Sequence, residues 1–91
     1  MVKSLDELRS EIDRLDDQIV PLLNARAALA LEIGRIKKAN GEPLHVPSRE
    51  RDVIDRLTAT SKGPMPPESI ARIYKEVMAA ALALEHKDEG L

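Results

Sequence analysis

From Leu8 the apolar residues fall at Leu8, Ile12, Leu15, Ile19 and Leu22, then at Leu29, Ile33 and Ile36, in alternating steps of four and three. Residue 26 is the one missing member of the series. Such spacing is a heptad seam, and it predicts one long helix whose apolar edge faces another helix. Ser4 is placed to cap the start, Glu7 completes a capping box three residues on, and Gly41 and Pro43 end the segment. A helix from about Leu5 to Ala39 would be about 50 Å long at ~1.5 Å per residue. Pro21 interrupts it, removing one backbone hydrogen bond and crowding the Asp17 carbonyl at a cost of ~3 kcal/mol. No glycine or loop chemistry surrounds Pro21 and the heptad phase continues across it, so the pattern predicts a kinked helix rather than two.

A second helix is expected over about 48–62, with Ser48 as its N-cap, Val53, Ile54 and Leu57 on one face, and Lys62-Gly63-Pro64 as its stop. A third is expected over about 67–86, opening after Pro66-Pro67 with Glu68 in its first turn. Its apolar series is Ile70, Ile73, Val77, Ala80 and Leu84, and it fades among His86, Lys87 and Asp88. There is no strand alternation, internal repeat or low-complexity tract. The fold class is therefore all-α, three helices in one domain over 1–91, one long and two shorter.

Size decides the quaternary expectation. A compact chain of this length has a radius of gyration of roughly 12 Å, and two short helices cannot wrap one of about 50 Å. Much of the seam would stay exposed, beyond what a monomer tolerates. A two-fold homodimer with intertwined long helices is the simplest arrangement that covers it. The alternative is a monomeric antiparallel bundle broken at Pro21.

Composition narrows the chemistry. With 43% apolar and 33% charged residues the chain is globular rather than disordered. It has no Cys, so disulfides, thiolate metal sites and a Cys nucleophile are excluded, and His45 and His86 lack metal-ligand spacing. Neither a signal-like N-terminus nor an apolar run of membrane-spanning length is present, so a cytoplasmic protein with no membrane partner is expected. A net charge of −2 and a single aromatic, Tyr74, speak against a nucleic-acid partner, which needs a basic face or stacking platforms.

Charges in apolar positions are the remaining signal. Arg26 occupies the missing heptad position, where an unpaired buried cation costs several kcal/mol; a salt bridge to Glu11 or Asp16 of another helix is one way to satisfy it. Lys37 lies three helical turns on, nearly on the same face and about 16 Å away. Two such side chains leaning together can hold a small dianion. Arg9 stands about 25 Å from Arg26 along the axis, too far to share its ligand, but an antiparallel partner could deliver its own Arg9 there. Arg49 and Glu50 open the second helix within VPSRERDVI, and Glu85 follows the apolar run MAAALAL, four residues after Ala81. Each has an ordinary surface reading. Together they describe a site for a small polycarboxylate.

The segments LRSEIDRLDDQIVPLLNARAALALEIGRIK, VPSRERDVI and IARIYKEVMAAALALE resemble the all-helical chorismate mutases, above all the N-terminal mutase domain of bacterial chorismate mutase–prephenate dehydratases. The resemblance covers nearly the whole chain. It implies an intertwined dimer with two sites built from both chains, acting without cofactor or metal on the dicarboxylate chorismate to give prephenate. By position, Arg26 and the Arg9 supplied by the other chain match the arginines that hold substrate carboxylates. Lys37 matches the lysine contacting a carboxylate and the ether oxygen of the breaking bond. Arg49 matches an electrostatic or supporting arginine, Glu50 the acceptor of the C4 hydroxyl, and Glu85 a Gln or Glu position that hydrogen-bonds the ether oxygen. Arg26, Lys37 and Glu85 would be the catalytic set. Two positions depart from a well-known form of the motif: Val46 stands where an Asp often accepts the hydroxyl, and Ala81 where a Ser or Thr often assists a carboxylate. The competing readings are a pyruvate lyase of the same fold acting on isochorismate, a non-catalytic dimerising or regulatory domain, and a plain coiled-coil adaptor. Retention of the charged set speaks against the non-catalytic domain, because a pure scaffold gains nothing from Arg26 in a seam.

Overall fold

The Ser4 hydroxyl accepts a hydrogen bond from the Glu7 N–H, and the Glu7 carboxylate accepts one from the Ser4 N–H. This capping box starts helix α1, Leu5–Ala39. In the computed structural model, which describes residues 2–89, α1 runs unbroken through Pro21. The break required by a monomeric antiparallel bundle does not occur. Gly41 ends the helix with φ of 68°, donating to the Lys38 carbonyl while the Glu42 N–H reaches the Lys37 carbonyl at 2.8 Å. Those two bonds form a Schellman closure, which favours glycine at this left-handed position.

Helix α2 spans Pro47–Thr60 and α3 spans Pro67–Lys87. Ser48 is not the N-cap of α2. Val46 is, without a side-chain cap, and Pro47 takes the first helical position. The proline explains the shift, because it forces the preceding residue into extended backbone and needs no N–H partner itself. Val46 accordingly has φ −126° and ψ 92°. At the other end α2 stops at Thr60, ahead of the Lys62-Gly63-Pro64 signal. The Thr58 and Thr60 hydroxyls donate back to the carbonyls of Ile54 and Leu57 at 2.8 and 3.1 Å.

Helix α3 packs on both other helices, whereas α1 and α2 do not pack on each other. Among the described residues the buried set is small: Val53 of α2, Met78, Ala81 and Glu85 of α3, and Gly34 of α1. Ile54, Leu57, Ile70 and Val77 are half-buried, and the α1 seam faces outward. Leu15 is 57% exposed, Leu22 68% and Ile36 61%. The protomer measures 59 × 28 × 15 Å with a radius of gyration of 16.7 Å, against roughly 12 Å for a compact chain of this length. Its accessible surface is 7340 Å² at 10.1 kDa, where a compact monomer would expose about 5300 Å². Among the described residues nothing covers the seam. No helix among the described residues is long and apolar enough to cross a membrane.

Candidate active site

Where the C-terminal half of α1, the start of α2 and the end of α3 meet, they enclose a cleft of about 250 Å³. Leu29, Ile33, Val53 and Met78 form its apolar wall, and Arg26, Lys37, Arg49, Glu50 and Glu85 bring charge to it. Five of the six charged residues singled out in the sequence therefore converge. Arg9 does not line the cleft; it is exposed on the first turns of α1. Val46 and Ala81 also face the cleft, so the two positions that depart from the motif add apolar wall rather than hydroxyl or carboxylate.

Local geometry fixes most of these groups. The Lys37 ammonium donates to the Leu44 carbonyl at 3.2 Å, which ties the loop between α1 and α2 back to α1. Glu50 in the first turn of α2 has its carboxylate 3.1 Å from His45 Nε2. Among the described residues Arg26 and Arg49 have neither a hydrogen-bond nor an ion-pair partner, and Glu11 pairs instead with Lys3. Arg26 is half-buried all the same. Three cations face two carboxyls, an excess of positive charge in a partly apolar recess that suits a small anion with two negative groups.

Glu85 is the most enclosed of them, at 8% exposure. It lies in the last turn of α3 against Gly34 of α1, where a Cβ on residue 34 would come within 2.8 Å of Glu85 Cγ. Next to this contact the Lys38 ammonium donates to the Glu85 carbonyl at 2.6 Å and also to that of Asp88. The Arg35 guanidinium holds the Asp88 carboxylate through Nε at 2.8 Å and Nη2 at 3.3 Å. That hydrogen bond, and then the charge of Asp88, hold Arg35 above its ordinary pKa.

Residues 8–86 match the sequence profile of the family described as chorismate mutase type II. The chain belongs to that family. It is 44% identical over 90 residues to a bifunctional chorismate mutase/prephenate dehydratase of Aquifex aeolicus, a match covering 94% of this chain and 25% of that protein. The chain thus spans about a quarter of the length of such relatives. Its fold superposes on a chorismate mutase from Thermus thermophilus with a TM-score of 0.92 at 38% identity, covering 94% and 98% of the two chains. A chorismate mutase from Helicobacter pylori, solved in complex with prephenate, gives 0.83 at 32% identity over 90% and 89%.

Several residues in and beside this cleft are not singled out by the spacing of apolar and charged positions. His45 lies in the loop before α2, so helical spacing gives no hint of its approach to Glu50. Gly34 did leave a signal: a glycine inside a helix costs ~1 kcal/mol relative to alanine and needs a packing reason. Arg35, Lys38 and Asp88 read as ordinary charges at two helix ends.

Proposed function

We propose that this cleft converts chorismate to prephenate, and that it does so in a two-fold homodimer whose sites take residues from both chains. One observation carries the reading: Arg26, Lys37, Arg49, Glu50 and Glu85 gather from three helices into one recess. Family membership, and a structural relative that holds prephenate, support it.

The rearrangement is intramolecular. The ether C–O bond breaks while a C–C bond forms between the ends of the same molecule, with no atom gained or lost and no proton transfer required. What the protein supplies is a folded reactant and a complementary field. Arg26 and a partner arginine grip the two carboxylates bidentately and bend the enolpyruvyl arm over the ring. Lys37 and the Glu85 carboxyl group hydrogen-bond the ether oxygen, where negative charge grows in the transition state. Glu50 accepts the ring hydroxyl, which fixes the face presented.

The uncovered seam supports the dimer. The accessible surface exceeds that of a compact monomer by roughly 2000 Å², an amount in the range of a stable protein interface. Arg9, next to Leu8 of the seam, is the one cation of the matched set that does not line the protomer's own cleft. In an antiparallel pairing it would supply the second carboxylate grip.

The test is a direct assay of chorismate consumption with the product identified. Prephenate in a one-to-one yield is expected. Pyruvate as the main product, or no turnover by a folded dimer, would refute the assignment.

A further inference from the structure

One turn of α1, residues 34–38, does several jobs at once. Gly34 leaves the hollow in which the Glu85 side chain lies. Lys37 faces the cleft. Arg35 and Lys38 reach the C-terminal end of α3 instead, where the last carbonyls of a helix have no intrahelical donor and carry the negative end of its dipole. Lys38 donates to the carbonyl of Glu85 itself, and Arg35 clasps Asp88, the residue that closes α3. A terminal helical turn otherwise frays easily. Here the turn that carries the buried Glu85 is pinned from both sides to the turn that carries Lys37.

We infer that Arg35 and Lys38 are positioning residues for the reaction: they hold the last turn of α3 in register with α1, so that the Glu85 carboxyl stays seated over Gly34 and aimed at the same atom as Lys37. The inference rests on the proposed contact of Glu85 with the ether oxygen. A pin that served stability alone would need no connection to Glu85. Yet Lys38 bonds the backbone of that residue, and Gly34, at the start of the same turn, is the residue against which its side chain packs. A misplacement of about 1 Å at a reacting centre is enough to cost on the order of a hundredfold in rate.

The experiment is a double-mutant cycle on the dimeric enzyme. Arg35→Met and Lys38→Met, singly and combined, keep the apolar stems and remove the donors. Combined, they are expected to lower kcat by about tenfold or more with KM within about twofold, because the contact they serve strengthens in the transition state. In a Glu85→Ala background the same pair should change kcat by less than about twofold, since there is no carboxyl left to aim. Arg35→Lys, which keeps a donor for Asp88, should regain part of the loss. Full kcat in the combined variant, or the same proportional loss with and without Glu85, would overturn the inference while leaving the role of Glu85 intact. If Glu85→Ala were itself as active as wild type, the reading of Glu85 would fail and the positioning role with it. Asp88→Asn weakens the clasp from the other side without touching α1, and it answers the same question should the combined variant unfold.

Discussion

Gly34 and Glu85 meet across α1 and α3 so closely that a methyl group on residue 34 would lie 2.8 Å from Glu85 Cγ and 3.2 Å from its Cβ. The obstacle is the root of the glutamate side chain as well as its tip, so a rotamer change alone does not relieve it. In an exposed helix, glycine to alanine stabilises by roughly 0.5–1 kcal/mol. Here the expected sign is reversed. Gly34→Ala should lower the melting temperature by several degrees, as a cost of about 1–3 kcal/mol for overpacking implies, and reduce kcat by about tenfold. Thermal melts and steady-state kinetics check this; a raised melting temperature with unchanged turnover would mean that the two helices do not approach this closely.

How much of this was legible in the chain depended on the kind of signal. The heptad steps from Leu8 to Ile36 and the Ser4–Glu7 box identify α1, because both repeat a local geometry that spacing encodes. Arg26 stood out because it breaks that series. The N-cap of α2 lies two residues before the one the sequence predicts: a serine two positions before Glu50 is a strong local cue, but the conformational demand of Pro47 on Val46 overrides it. The pairings of Arg35 with Asp88 and of Lys38 with the Glu85 carbonyl span about fifty positions of sequence. No periodicity within one helix could announce them.

The uncovered seam predicts a stability tied to protein concentration. If two protomers cover it, the melting temperature rises as the protein is concentrated. Leu15 is mid-seam and 57% exposed in the protomer, so Leu15→Glu should leave the protomer's own packing untouched while placing a charge in the dimer contact. A destabilisation of about 3 kcal/mol or more is expected from a buried unpaired charge, seen as monomer in sedimentation and as loss of activity. A fully dimeric Leu15→Glu protein would locate the contact elsewhere.

Shared sites make a distinct prediction. Arg9 and Arg26 are about 25 Å apart along one helix, so they serve one ligand only across two chains. Arg9→Ala and Arg26→Ala homodimers should each lose at least about a hundredfold in kcat/KM. Mixing them under conditions that exchange subunits should restore activity, since a heterodimer retains one site with both arginines. The ceiling for a statistical mixture is about one quarter of wild type, from half the molecules each having one intact site. Proven exchange with no recovery would rule out the antiparallel arrangement.

Arg26 itself is half-buried and, among the described residues, unpartnered. If it serves substrate rather than stability, an apolar replacement of similar length is tolerated, because removing a buried charge is often neutral or stabilising. Arg26→Met should therefore keep the melting temperature within about 2 °C or raise it, while kcat/KM drops by about a hundredfold or more. A variant that unfolds would instead assign Arg26 to an ion pair across the dimer, with Glu11 or Asp16 the acids to examine.

Glutamine separates the shape of Glu85 from its chemistry. The proposed contact is a hydrogen bond to an ether oxygen that gains negative charge, and such a bond needs a donor on the side chain. Glutamine has nearly the same shape and a permanent N–H, whereas alanine has neither donor nor bulk. Glu85→Gln should therefore keep kcat within about tenfold of wild type, and Glu85→Ala should lose about a hundredfold or more. The loss should be larger in kcat than in KM, because the contact matters most in the transition state. Lys37, which faces the same cleft and donates to the Leu44 carbonyl, is unchanged in both variants. The measurement is the steady-state kinetics of the three proteins. Glu85→Ala as active as wild type would take Glu85 out of the mechanism.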